Sequence, residues 1–228
     1  MAKLRSFLPK PRFTVVLAAQ LLILVLAPIL QHEAHPALSR MLGFVGLFVP
    51  VLAVAVAGDV GRPRRIAIGL AILCALTSAD SLTGIIQLPA PARIATVLVF
   101  LAYTTSRLML GVVRSRNVTA DVIAGALASY MMVGLTWAFA YGILETVQPG
   151  SIHGLAEGNA SLDFPTLMYF SYITLLTIGY GDITPLSAVA RMMAVLEGLL
   201  GMTFTTIIMA VLVAAHLRGQ DERDPGGR

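Results

Sequence analysis

Thr177-Ile178-Gly179-Tyr180-Gly181-Asp182 is the stretch that decides the fold of this chain. It follows a short apolar and aromatic segment, 165–176, and precedes a long apolar run, 187–215. Its two glycines lack a Cβ atom, so they adopt positive φ at little steric cost. The short segment begins with a proline, which suits a first helical turn. The order therefore predicts a short helix, a loop of unusual backbone conformation and a long apolar helix.

The composition predicts an integral membrane protein. The chain of 228 residues is 57% hydrophobic and 12% charged, whereas soluble proteins average about 25% charged residues. A membrane-spanning helix needs about 20 largely apolar residues. Six runs satisfy this requirement: 13–30, 41–57, 66–88, 94–113, 122–146 and 187–215. Segment 165–176 is too short to span, and a re-entrant segment is tolerated only where protein or water surrounds it.

The distribution of basic residues predicts that both termini are cytoplasmic. Lys and Arg concentrate before the first run, between the second and third, between the fourth and fifth, and in the tail. These residues are Lys3, Arg5, Lys10, Arg12, Arg62, Arg64, Arg65, Arg114, Arg116, Arg218, Arg223 and Arg228. The opposite side holds only Arg40, Arg93 and Arg191. The positive-inside rule then places the 177–182 loop outside. The net charge of +4 reflects orientation and requires no nucleic-acid partner.

The stretch 177–182, with its flanking helices, resembles the selectivity filter of potassium channels, T-V/I-G-Y-G-D. The resemblance is specific over 122–217 and rests on span count alone over 1–121. It implies an all-α integral membrane protein with six transmembrane helices, a re-entrant pore helix and a selectivity-filter loop. It further implies a homotetramer in a lipid bilayer that conducts K⁺ passively, with K⁺ as the transported ion and no cofactor. The expected location is a bacterial inner or plasma membrane.

The resemblance implies a role for each filter residue. Backbone carbonyls of Thr177, Ile178, Gly179, Tyr180 and Gly181 replace the hydration shell of K⁺. The Thr177 hydroxyl adds a further oxygen at the inner end. The side chains of Ile178 and Tyr180 point away from the ion path and hold the filter from behind. The family often has a second Thr before the filter Thr, where this chain has Leu176.

The same resemblance divides the chain into predicted domains. Residues 1–12 form a cytoplasmic stub, 13–113 a peripheral bundle of four helices that is poor in charge, and 114–121 a linker. The pore domain, 122–217, contains an outer helix 122–146, a pore helix 165–176, the filter 177–182 and an inner helix 187–215. The tail 218–228 is too short for a further domain, which needs about 50 residues.

Support and gate residues are predicted around the filter. Tyr169 and Phe170 occupy the positions where the family commonly has an aromatic pair beside the filter, and Tyr169 is the candidate partner of Asp182. Gly201 matches by spacing a glycine that many family members use as a hinge, whereas Gly198 serves bending or close packing. At 100° per residue, one stripe of the inner helix is assigned to the cavity and gate. It contains Met202, Thr205, Thr206, Met209 and Val213.

Further polar and small residues lead to more local expectations. Glu197 lies about 140° from the cavity stripe, so we expect it to point back to the pore helix as a hydrogen-bonded brace. The small residues of 124–129 suit close helix packing. Trp137 and Tyr141 are expected at the membrane interface. The acidic residues near the outer loop predict either an entrance that concentrates cations or ordinary solvated charges. They are Glu145, Glu157, Asp163 and Asp182.

Two alternatives stay open. One is a less selective cation channel, although the complete Gly-Tyr-Gly-Asp strip opposes it. The other is an intramembrane aspartyl protease, because 179–182 also fits a G-x-G-D pattern and Asp80 lies within an apolar run. Two carboxylates that share a proton would be its chemistry. An intramembrane Asp is a functional-site hypothesis by default, but Asp80 follows Ala79 and not Tyr, and we expect it in a hydrated crevice.

The fourth run predicts weak voltage dependence. Steep gating needs about 3–4 charges per subunit that cross the membrane field. Arg93 and Arg114 flank this run and only Arg107 lies inside it. Its side chain is long enough to reach the cytoplasmic surface.

Overall fold

The computed structural model describes residues 13–32, 50, 62–83, 88–115, 119–155 and 164–221. Within these ranges the regular elements are helices apart from two strands of two residues each, and turns and loops connect them. The elements in order are α1 (Phe13–His32), α2 (Arg62–Thr83), α3 (Ala90–Val113), α4 (Ala120–Val147), β1 (Ile152–His153), α5 (Phe164–Leu175), β2 (Thr184–Pro185) and α6 (Ala188–Asp221).

Three of the described helices are long and apolar enough to cross a membrane. They are α3, α4 and the Ala188–Val211 part of α6. A shorter apolar stretch, Phe13–Val25, lies in α1. The chain is therefore a mostly helical protein with membrane-spanning candidates, as predicted. The predicted span 41–57 lies outside the described residues except for Pro50, and the number six stays a prediction.

The helix ends differ from the predicted spans by a few residues. The predicted run 66–88 corresponds to α2, which begins at Arg62 and ends at Thr83. Its predicted end is wrong, since Leu88 and Pro89 are not helical. The predicted linker 114–121 is shorter, because α4 begins at Ala120. The length of an apolar run locates a membrane span, but it does not fix the residues at which the helix begins and ends.

The chain forms two compact units, Met1–Ala75 with Tyr103–Met131, and Leu76–Ala102 with Met132–Arg228. In the first unit α1 packs on the beginning of α4. Thr14 donates two hydrogen bonds to Asp121 Oδ1, from N at 2.9 Å and from Oγ1 at 2.8 Å. A methyl group at Gly125 would lie 2.7 Å from Phe13 Cγ. The predicted close packing of the small residues in 124–129 is confirmed at Gly125.

The second unit contains the 177–182 loop. Its core is a buried cluster from the end of α4, β1, α5, the segment after the loop and the beginning of α6. The members are Tyr141, Ile152, Leu167, Phe170, Ile183 and Ala190. The antiparallel strands pair Ile152 with Pro185 and His153 with Thr184. The segment after α4 is thereby tied to the segment that leaves the loop.

Candidate functional site

The loop begins with a helix cap at the end of α5. The Ile178 N–H donates to Ile173 O at 2.8 Å, and the Thr177 N–H donates to Thr174 O at 3.0 Å. This pair of bonds is the Schellman pattern, which places the first residue after the helix end in the left-handed region. Thr177 has φ of 57°, although this position usually carries glycine. The left-handed region costs a non-glycine residue roughly 1–2 kcal/mol.

The sign of φ alternates along the loop. Thr177, Gly179 and Gly181 have φ of 57°, 55° and 83°, whereas Ile178 and Tyr180 between them do not have positive φ. Alternation in the sign of φ turns successive N–H groups to one side of the backbone, and the carbonyl oxygens then gather on the opposite side. The positive φ predicted for both glycines is confirmed. The positive φ of Thr177 was missed, because Thr gives no sequence signal for it.

The exit from the loop is held by the segment after α4. Leu186 N–H donates to Ser151 O at 2.8 Å, next to the β1–β2 pairing. Gly154 has φ of 91°, and a Cβ there would lie 2.9 Å from Asp182 O. This anchor was not predicted, since two-residue strands carry no periodic signal.

The predicted partner of Asp182 is confirmed. The Tyr169 hydroxyl donates to Asp182 Oδ2 at 2.9 Å. This hydrogen bond raises the pKa of Tyr169, so the hydroxyl keeps its proton to higher pH than an isolated tyrosine. The bond is exposed to solvent, and it links the middle of α5 to the end of the loop.

Phe170 has different surroundings from Tyr169. It is buried, and its ring meets that of Tyr141 edge to face at a centroid distance of 5.0 Å. It shares the buried cluster with Ile183, which follows Asp182 directly. Ile178 and Tyr180 are 48% and 71% exposed, so this chain alone does not cover the side chains that were expected to brace the filter.

Glu197 of α6 points toward α5, as predicted. Its side chain is completely buried. The Tyr141 hydroxyl donates to Glu197 Oε2 at 2.8 Å, and Ser171 Oγ lies 2.5 Å from Glu197 Oε1. Tyr141 is therefore buried in the core, and its predicted place at the membrane interface is wrong. Ser171 was not singled out, because a lone serine in an apolar helix has no distinctive pattern.

The glycines of α6 differ from each other in packing. A Cβ at Gly201 would collide with the Leu175 carbonyl group, whereas a Cβ at Gly198 would meet nothing within 4 Å. Close packing is thus the observed role of Gly201 and is not seen at Gly198. The hinge role of Gly201 stays a prediction.

The remaining residues of the predicted stripe are exposed as far as they are described. Met202, Thr205, Thr206 and Met209 are exposed, but so are apolar residues on other sides of α6, including Val195 and Ile207. Exposure alone does not assign them to a cavity. The two threonine hydroxyls donate to carbonyls of their own helix, Gly201 O and Met202 O. The Val213 side chain lies outside the described residues.

One of the acidic residues predicted at the entrance is buried. Glu145 is 2% exposed and accepts a hydrogen bond from the Gly150 N–H at 2.5 Å. It supports the turn after α4 and does not face solvent, so its predicted place at the entrance is wrong. Glu157, Asp163 and the Asp80 side chain lie outside the described residues. Within the described parts of the chain, no three His, Cys, Asp or Glu side chains form a candidate metal site.

Comparison with known proteins finds similarity over the region that contains the 177–182 loop. The family model described as an ion channel matches residues 125–217. The chain is 32% identical over 95 residues to "Two pore potassium channel c" of Oryza sativa subsp. japonica. Over less than half of its length, this chain is therefore similar to ion channels, a potassium channel among them. The matched region is 42% of this chain and 19% of the relative, so the chain spans about a fifth of that relative's length. No solved structure matches.

The matches are to channels and not to enzymes. The matched residues include the whole 177–182 loop and the elements that support it. Asp182 lies in the loop and accepts a hydrogen bond from Tyr169, not within a membrane-spanning helix as protease chemistry would require. The aspartyl protease alternative is therefore not retained.

Removal of the Tyr169–Asp182 bond is expected to change ion flux more than folding. Asp182→Asn removes a charge at the end of the loop, and Tyr169→Phe removes the hydroxyl while keeping the ring. In both variants we expect reduced or unsustained K⁺ flux in liposomes, with little change in melting temperature. Tyr103→Phe is the matched control, since it also removes one tyrosine bond, to Pro63 O at 3.0 Å. Unchanged flux in both loop variants would show that Asp182 is only a solvated residue.

Proposed function

We propose that the protein is a potassium-selective channel that conducts K⁺ passively across a membrane through a homotetrameric pore. The observation that carries the proposal is the alternation of φ over 177–181 directly after a capped helix. A strip of this kind presents carbonyl oxygens on one side, and rings of carbonyl oxygens replace the water shell of K⁺. The rice relative is by name a potassium channel, which supports the same ion.

The oxygen donors of the proposed filter are the carbonyls of 177–181 and the Thr177 hydroxyl. α5 ends directly at this strip, so the negative end of its helix dipole lies beside the inner end of the filter. A negative helix end stabilises a nearby cation, typically by about 0.3–1 kcal/mol at an exposed site. K⁺ is the transported ion in this proposal, and no cofactor is required.

The homotetramer is proposed because one chain supplies only one strip of carbonyls. A ring of oxygens around an ion requires several copies, and closed cyclic symmetry provides them. The exposed side chains of Ile178 and Tyr180 would then be covered by neighbouring copies. The exposed apolar side chains of α6, such as Val195, Leu199 and Met202, would face lipid, other subunits or the cavity. The stripe with Thr205, Thr206, Met209 and Val213 is assigned to the cavity and gate within this proposal.

Six spans, cytoplasmic termini and location in a bacterial plasma membrane belong to the same proposal.

Voltage dependence is proposed to be weak. α3 contains Arg93 in its first turn and Arg107 six residues before its end, which is fewer than the about 3–4 charges per subunit that steep gating needs. A steep activation curve in patch recordings, lost in Arg107→Gln, would contradict this part.

The test is reconstitution of the purified full chain in liposomes. Potassium and sodium efflux are measured in parallel, and the oligomeric state of the same preparation is determined by cross-linking and native mass. We expect K⁺ flux well above Na⁺ flux, and a mass of four chains. Equal flux of both ions would reject selectivity and favour the less selective cation channel. Monomers or dimers under conducting conditions would reject the tetramer.

A further inference from the structure

Two polar groups from neighbouring helices contact the buried Ser171 hydroxyl. Ser171 Oγ lies 2.7 Å from Gly134 O of α4 and 2.5 Å from Glu197 Oε1 of α6. The second carboxyl oxygen, Oε2, accepts from the Tyr141 hydroxyl at 2.8 Å. Ser171, Glu197 and Tyr141 are all fully buried. The group therefore connects α4, α5 and α6 at one point without access to bulk water.

The number of protons decides which of these contacts are hydrogen bonds. A serine hydroxyl carries one proton, and a backbone carbonyl carries none. The contact with Gly134 O therefore uses the single Ser171 proton. The contact with Glu197 Oε1 then needs a proton from the carboxyl group, because the Tyr141 proton already points to Oε2. All three contacts are hydrogen bonds only when Glu197 is a carboxylic acid that donates to Ser171.

An ionised Glu197 leaves one contact without a proton. Ser171 would then donate either to Gly134 O or to Glu197 Oε1, and the other pair of oxygens would face each other at 2.7 Å or less with no hydrogen between them. A buried carboxylate whose partners are two neutral hydroxyls also carries a large desolvation cost, and such groups are usually neutralised. Tyr141 is the titratable group that faces the carboxyl from α4, and Ser171 is the polar group that faces it from α5.

We propose that Glu197 is held as a neutral carboxylic acid whose proton, donated to Ser171, joins the inner helix α6 to α5 and α4. Loss of this proton removes one of the two bonds that seat Ser171. Ser171 lies six residues before Thr177, where the loop begins. If the proposed channel function holds, flux should therefore fall at alkaline pH, because the helix that carries the filter loses part of its attachment.

Glu197→Gln tests the proton directly. The glutamine amide donates to Ser171 and its carbonyl accepts from Tyr141, so this variant reproduces the neutral network without a titrating group. Glu197→Leu retains the approximate volume and removes every bond. Infrared spectra of the reconstituted protein at neutral pH are compared between the natural chain and Glu197→Gln. Melting temperature and K⁺ flux are then recorded from mildly acidic to alkaline pH.

The expected result is a carbonyl band of a protonated carboxylic acid that is lost in Glu197→Gln and retained in Glu145→Gln, the matched buried glutamate. Melting temperature should fall with rising pH in the natural chain and less so in Glu197→Gln, whereas Glu197→Leu should be less stable at every pH. A carboxylate band in place of the acid band at neutral pH would overturn the proposal. If the acid band is present but the protein shows no K⁺ flux, the protonation of Glu197 is supported and the channel function is rejected.

Discussion

Gly179→Ala is expected to abolish or severely reduce K⁺ selectivity while the fold persists. Gly179 has φ of 55°, and nothing lies within 4 Å of the position that a Cβ would occupy. The effect is therefore conformational and not steric, since the left-handed region costs a residue with a Cβ roughly 1–2 kcal/mol. In the proposed ring of four copies this cost would recur in every subunit. Segment 177–181 lowers this conformational cost by adopting another backbone conformation, in which its carbonyl oxygens no longer lie on one side.

The measurement is the ratio of K⁺ to Na⁺ flux in liposomes, together with melting temperature. Gly69→Ala is the matched control, because it adds the same methyl group in α2 at a site that is also open but does not have positive φ. We expect Gly69→Ala to keep the natural ratio. A Gly179→Ala protein with unchanged selectivity would show that positive φ at this position is not required for conduction.

Gly201→Ala is expected to lower both stability and flux. Its Cβ would collide with the Leu175 carbonyl oxygen and lie 2.9 Å from the Leu175 carbonyl carbon. These are backbone atoms at the last residue of α5, so they cannot rotate away as a flexible side chain does. Overpacking of this kind costs typically 1–3 kcal/mol. A displacement of Leu175 also displaces the 177–182 loop, because the loop begins only two residues later, at Thr177.

Gly198→Ala provides a control three residues earlier on the same helix. A Cβ there meets nothing within 4 Å, and Ala is favoured over Gly in a helix by up to about 1 kcal/mol. We expect this variant to be as stable as the natural chain or more so. If Gly201→Ala retained full stability and altered only the opening of the pore, the hinge interpretation would replace the packing interpretation.

The core of the site was predictable because it depends on local properties. The α5 helix lies within one residue of its predicted bounds, since a proline start, a run of twelve mostly apolar and aromatic residues and a glycine-containing loop define it without help from distant residues. The positive φ of Gly179 and Gly181 follows from the absence of a Cβ. The direction of Glu197 follows from helical geometry, because an angle of about 140° from one face places a side chain on the opposite side.

The support of the site was only partly predictable. The Tyr169–Asp182 bond came from the family resemblance and is present, whereas the tie between the segment after α4 and the loop exit was missed. Tyr141 and Glu145 were expected at the interface and at the entrance, and both are buried. Each carries a polar group that finds a partner inside the protein, Glu197 for Tyr141 and the Gly150 N–H for Glu145. Both residues were predicted to be exposed because they are polar. A polar side chain can be buried when it finds a hydrogen-bond partner inside the protein.

The sequence by itself determined the helix–loop–helix order around 177–182, the membrane class and the face on which Glu197 lies. These depend on apolar length, glycine and helical period, all of which act over a few neighbouring residues. Only the tertiary structure decided that Thr177 adopts positive φ, that Gly201 packs on Leu175, and that the Ser171 hydroxyl of α5 lies between Gly134 of α4 and Glu197 of α6. Ser171 is 37 residues from Gly134 and 26 from Glu197. Contacts across such separations arise only when helices pack, because no local preference specifies which side chains will meet.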